Sequence, residues 1–126
     1  NPKGEIVSKY RKIHLFDIDL PGTFIAFESD IIEAGNEIIV ADTELGKIGL
    51  TICYDLRFPE LYRALTLKGA KMIFIPSEFS MPTGKDHWEC LLRARAIENE
   101  VYIIAPDQIG KKSVFQSHGR SLIIDP

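Results

Sequence analysis

GKIGLTICYDLRFPEL, residues 46–61, decides the fold. Lys47 to Cys53 is apolar and β-branched, which reads as a buried strand, and the chain then turns polar at once. The next segment, FPELYRALTLK (58–68), reads as a helix. Pro59 suits a first helical turn, Leu61, Ala64, Leu65 and Leu67 supply an apolar stripe, and Gly69 follows as a stop. Working backwards, Glu37–Ala41 is a second apolar run separated from Lys47 by a loop short enough for a hairpin, so antiparallel pairing is expected. Working forwards, Met72–Pro76 (MIFIP) reads as a strand and Lys85–Glu98 (KDHWECLLRARAIE) as a helix with Trp88, Leu91, Leu92 and Ile97 at helical spacing. Val101–Ala105 and Ser121–Ile124 add strands. Near the start, Tyr10–Leu15 reads as a short strand with Lys12 and His14 on one face, followed by a Pro21-Gly22 turn. The βαβαβ order from Lys47 to Ala105 predicts parallel strands with crossover helices, and the fold class is α/β.

The 126 residues suit one domain, and 45% hydrophobic residues can close a core. No repeat, low-complexity tract or linker divides them. A net charge of −3 with 15 basic residues leaves no excess for phosphates, so nucleic acid is not an expected partner. No run approaches the ~20 apolar residues of a membrane helix, and Asn1–Lys12 is too polar for a signal peptide. A cytoplasmic chain without membrane association is expected, with Cys53 and Cys90 as free thiols. Cysteine and histidine are scattered except for His87 and Cys90 on one helical turn, so no metal is expected. No phosphate loop, GxGxxG or GxSxG is present, and no cofactor is implied.

Cys53 stands at the carboxyl end of a predicted strand, where reactive groups of α/β sheets collect and where a strand-to-helix turn can hold a nucleophile beside free N–H groups. Its other reading is a small buried hydrophobe. The polar cluster Tyr54-Asp55-Leu56-Arg57, Lys12 in its predicted strand and Glu28 before a loop each favour a site. Each also has a plain reading: Asp55 and Arg57 as helix caps or pairs, Lys12 and Glu28 as surface residues. A Cys–His arrangement using His14, His87 or His118 also stays open at this point.

Taken together, YRKIHLFDIDLPG, FES followed by AGNE, GKIGLTICYDLRFPEL and TGKDHWECLLRARAIENEVYIIAPDQIG resemble the nitrilase superfamily of carbon–nitrogen hydrolases. The resemblance is closest to the Nit branch, which contains deaminated-glutathione amidases and ω-amidases, and it covers essentially the whole chain. It implies a four-layer αββα sandwich, of which residues 1–126 would form the central to C-terminal portion, without the first strands or the C-terminal tail. It also implies a Cys, Lys and Glu triad. The lysine falls on Lys12, the nucleophile on Cys53 and a supporting glutamate on Glu28, while the general-base glutamate lies upstream of the matched lysine and has no counterpart here.

The resemblance gives each residue a role. Cys53 attacks an amide carbon, Lys12 and the backbone N–H of Tyr54 stabilise the oxyanion, and ammonia leaves to give a thioester. Glu28 keeps Lys12 charged, and Asp55 and Arg57 fix the turn. Glu78, Phe79, Thr83 and His87 are candidate substrate-binding residues, with Met81 and Trp88 in support. Glu78 departs from the family, standing where PS/PA-A-F has a small residue, and is read either as altering substrate choice or as a rim charge. The implied reaction is hydrolysis of a small carboxamide by a homodimer or higher homo-oligomer. The alternatives are nitrile or N-carbamoyl amine hydrolysis on the same fold, or a non-catalytic truncated module.

Overall fold

The computed structural model describes residues 1–22, 24–113 and 115–126. Its strands are β1 (Asp17–Leu20), β2 (Phe24–Phe27), β3 (Val40–Thr43), β4 (Gly46–Leu50), β5 (Met72–Phe74), β6 (Tyr102–Ala105), β7 (Ile109–Lys111), β8 (Gln116–His118) and β9 (Leu122–Ile124). The helices are α1 (Pro59–Leu67), α2 (Met81–Thr83) and α3 (Glu89–Asn99). A five-stranded sheet runs in the order β3-β4-β5-β6-β9. Its centre is parallel, with Ile48 opposite Met72 and Ile73 opposite Ile103, as the βαβαβ order requires. The flanks are antiparallel: the predicted hairpin closes β3 on β4, and β9 returns beside β6.

Alternation along the strands places Ile73, Ile75, Ile103, Ala105 and Ile124 in the core, where they join Leu61, Tyr62 and Leu65 of α1 and Leu92 and Ala96 of α3. Each large side chain buried there contributes roughly 1.5–3 kcal/mol. The apolar stripes are narrower than predicted. Leu67 (80% exposed) and Ile97 (67%) face outward, while Arg95 and Asn99 are buried on the stripe of Trp88, Leu92 and Ala96.

Two expectations need correction, and one hairpin was not expected. Tyr10–Leu15 is not a strand, because its backbone groups are engaged elsewhere: Ile13 N–H donates to the Tyr10 hydroxyl, His14 N–H to Asp55, and Gly35 N–H to the Lys12 carbonyl. The first hairpin instead pairs β1 with β2 around the Pro21-Gly22 turn. The helix expected over 85–98 starts earlier, at Met81, and passes through a π turn (Gly84–Trp88) before α3. Gly84 lies so close to His118 that a Cβ there would fall 2.3 Å from its side chain, so only glycine fits this crossing. The β7–β8 hairpin lies in a stretch too polar to read as strands.

Candidate active site

The carboxyl ends of β4, β5 and β6 converge on Cys53. It opens a 3-10 turn, Cys53–Arg57, with φ +46°, a left-handed backbone that a non-glycine residue adopts only when its surroundings enforce it. The enforcement is visible. Cys53 N–H donates to the Pro76 carbonyl at 3.0 Å, tying the turn to the end of β5, and Asp55 N–H donates to the Ile52 carbonyl at 3.0 Å. From α3, Arg95 donates two hydrogen bonds to the Leu56 carbonyl, at 3.1 and 2.9 Å. Arg95 escaped the sequence reading, although it falls on the buried stripe of α3.

Lys12 reaches this edge from an irregular segment held by long-range bonds. Gly35 N–H donates to the Lys12 carbonyl at 2.8 Å, and Gly35 lies so close to Arg11 that a Cβ would meet its carbonyl oxygen at 2.2 Å. The Lys12 ammonium is buried (6% exposed) and donates to Glu28 Oε2 at 2.5 Å. The same oxygen accepts Phe16 N–H at 2.7 Å. The β1–β2 hairpin accounts for the spacing between these partners, because it folds Glu28 back beside Phe16, whose carbonyl accepts Glu28 N–H.

Burial pushes the Cys53 thiol above its usual pKa. The Lys12 charge opposes that shift, and Glu28 and Asp107 reinforce it. The thiol donates to the Glu78 carbonyl at 3.8 Å. Cys53, Lys12 and Glu28 therefore act on one another electrostatically, and the thiol stays protonated at neutral pH unless a base takes its proton.

The other predicted residues surround this group unevenly. Tyr54 packs edge-on against Phe16 and Phe58. Phe79 is buried against Trp88, with ring centroids 4.8 Å apart. The Arg57 guanidinium lies 5.7 Å from the ring centroids of both Tyr54 and Phe79 and 3.3 Å from His87 Nδ1. Arg57 thus faces the predicted binding residues, and of the two residues expected to fix the turn only Asp55 bonds to it, through Ile52 N–H. The Glu78 carboxylate accepts from Ser117 Oγ at 2.7 Å and pairs with Lys112 at 3.3 Å, which draws it toward the β7–β8 hairpin. Thr83 Oγ1 is 2.9 Å from Ser80 Oγ. Of the histidines left open above, His14 pairs with Asp55 at 2.8 Å, and His87 is exposed beside Arg57. Both cysteines are free thiols. Among the described residues, no helix is long and apolar enough to cross a membrane.

A strained cysteine at a strand-to-helix turn, with a buried lysine–glutamate pair acting on it, is the kind of site found on α/β hydrolytic enzymes. The chain belongs to the carbon–nitrogen hydrolase family, which it matches over residues 1–126. A deaminated glutathione amidase of Dictyostelium discoideum is 50% identical over 125 residues, covering 98% of this chain and 43% of the relative. Among solved structures, Nit3 of Saccharomyces cerevisiae, a member of branch 10 of the nitrilase superfamily, is 36% identical with a TM-score of 0.86, covering 99% of this chain and 43% of Nit3. A mutant amidase from Nesterenkonia sp. AN1, with the acetamide moiety of fluoroacetamide added covalently at its active-site cysteine, is 26% identical with a TM-score of 0.83, covering 98% and 44%. The α/β fold is thus that of the nitrilase superfamily, and the chain spans less than half the length of these relatives.

Proposed function

We propose that the protein to which this chain belongs hydrolyses the amide of a small carboxamide through a thioester on Cys53. The observation that carries the reading is the buried Lys12 ammonium, held at 2.5 Å by Glu28, whose charge acts on a thiol at a strained turn. The adduct at the active-site cysteine of the Nesterenkonia amidase supports the same assignment. Because the Cys53 thiol is held protonated, a base must take its proton; the glutamate implied upstream of Lys12 has that role. The sulfur then bonds to the amide carbon and the carbonyl electrons move onto oxygen, where Lys12 and the Tyr54 N–H meet the charge. Collapse breaks the C–N bond, the nitrogen takes the proton and leaves as ammonia, and water attacks the thioester to release the acid and restore the thiol.

Arg57 supports a substrate that bears a carboxylate. Its guanidinium is pre-organised on two aromatic rings beside the turn, and among the described residues no carboxylate pairs with it. Such a substrate agrees with the deaminated glutathione amidases among the relatives. Assembly as a homodimer belongs to the same reading, and the outward Leu67 and Ile97 of α1 and α3 support it. In the full-length protein, Cys53→Ala is expected to lower ammonia release from carboxylate-bearing amides by about 10³-fold or more. Retained turnover overturns the mechanism, and preference for nitriles or N-carbamoyl amines in the same panel overturns the substrate class.

A further inference from the structure

The Lys12 segment has no regular secondary structure, so something other than a β ladder must fix it relative to Cys53. Asp55, fully buried, is bonded to both. On the Lys12 side its Oδ2 accepts the Tyr10 hydroxyl at 2.8 Å, and its Oδ1 accepts His14 N–H at 3.0 Å and lies 2.8 Å from His14 Nδ1. On the Cys53 side its Oδ2 accepts Ile52 N–H at 2.9 Å. Tyr10 and His14 straddle Lys12 by two residues each way, and Ile52 directly precedes Cys53. One carboxylate thus grips the chain on both sides of the lysine and immediately before the cysteine.

We propose that Asp55 is the positioning residue that holds Lys12 against Cys53, an inference that rests on the roles given to those two residues above. The lysine side chain has four flexible carbons, and Glu28 restrains only its tip, so the backbone at residues 10–14 must be fixed for the ammonium to meet a developing oxyanion. Two contacts stiffen the clamp. The His14 ring stacks on Phe58, with centroids 3.6 Å apart and planes 7° from parallel, and Tyr10 Oη accepts Ile13 N–H at 3.1 Å while it donates to Asp55. Burial, and then Asp55 itself, push the Tyr10 hydroxyl well above the usual phenol value, which keeps it a donor.

The test is the pH profile of iodoacetamide alkylation at Cys53 in the full-length protein, followed by mass spectrometry of the Cys53 peptide so that Cys90 does not interfere. Removing a nearby carboxylate would by Coulomb's law alone move the thiol's profile to lower pH. If Asp55 works through Lys12, Asp55→Asn moves it to higher pH, as Lys12→Ala does, and slows alkylation at pH 8 by about threefold or more. Adding Asp55→Asn to Lys12→Ala gives no further upward shift. In the amidase assay kcat falls and KM holds. A folded Asp55→Asn whose profile stays put or moves down overturns the proposal, and so does an upward shift that adds fully to that of Lys12→Ala. Should Asp55→Asn fail to fold, Tyr10→Phe keeps the Ile52 bond and is expected to shift the profile upward by a smaller amount; no shift overturns the proposal equally. Alkylation needs no turnover, so an active Cys53→Ala enzyme would sink the amidase reading without deciding this one.

Discussion

Asp55 and Asp107 are two buried carboxylates at the same edge of the sheet, one beyond β4 and one beyond β6, and they are treated in opposite ways. Asp55 accepts from Tyr10, His14 and Ile52, so both of its oxygens are satisfied. Asp107 Oδ1 accepts Phe79 N–H at 3.0 Å, but Oδ2 is buried with no hydrogen-bond partner among the described residues. Burial raises the Asp107 pKa and Glu78 adds to the rise, while the Phe79 and Gly119 N–H groups and the His118 charge oppose it. The difference teaches that burial alone says little about a carboxylate's role here. Both act on neighbours through charge, Asp55 on Tyr10 and Asp107 on Cys53, but only Asp55, with donors at both oxygens, also ties separate stretches of chain together.

The strongest way to break this comparison is Asp55→Ala. It leaves Ile52 N–H, His14 N–H and the Tyr10 hydroxyl without their acceptor, each at a cost of about 1–3 kcal/mol where water cannot replace it. The expected loss is about 3–5 kcal/mol in chemical denaturation. A loss below about 1 kcal/mol would mean that the clamp is not a stabilising element.

That clamp also marks the limit of what the sequence makes legible. The span from β3 to β6 can be read from it because each element carries its own local signals, such as Pro59 at the start of α1 and Gly69 beyond its end. Lys12 and Glu28 could be read from the residues as favouring a site near Cys53, each with a plain alternative, and only the family resemblance gave them roles. Tyr10 and His14, the distant partners of Asp55, lie 45 and 41 residues before it in the chain, and no periodicity reports such pairs. The misreading of Tyr10–Leu15 as a strand has the same cause: its alternation is real, but its backbone groups bond to side chains and to Gly35 rather than to a neighbouring strand. Arg95 was legible in principle. It shares the 3.6-residue stripe of Trp88, Leu92, Ala96 and Asn99, and a charged residue on a buried stripe signals a buried acceptor.

Asp107→Asn sharpens the comparison from the other side. Asparagine keeps the Oδ1 acceptor for Phe79, removes the charge and sets an amide NH2 where the unpartnered Oδ2 stood. Because the folded-state pKa of Asp107 is raised, its ionised form is disfavoured in the fold. That penalty is absent below the unfolded pKa, near 4, and grows as pH rises through the folded value. The variant is therefore expected to match the parent in acid and to be the more stable at pH 7, by under about 1 kcal/mol. Urea midpoints measured from pH 3.5 to 7.5 check this, and a variant less stable than the parent at pH 7 would show that the second oxygen is paired in solution.

The smallest effect reaches Cys53. The Asp107 charge helps to hold the thiol up, behind burial and in the same direction as Glu28. Removing it leaves Lys12 less opposed, so the thiolate fraction at a given pH rises and Cys53 alkylation at pH 7.5 should quicken by roughly twofold, the scale of a weak charge interaction through partly screened protein. Asp107→Asn thus shifts the alkylation profile down, while Asp55→Asn is expected to shift it up, although both substitutions delete one carboxylate from the same edge. Shifts of the same sign would leave the two residues acting through charge alone; opposite signs mean that Asp55 acts through position, and the Lys12→Ala background separates the lysine from the Ile52–Cys53 turn.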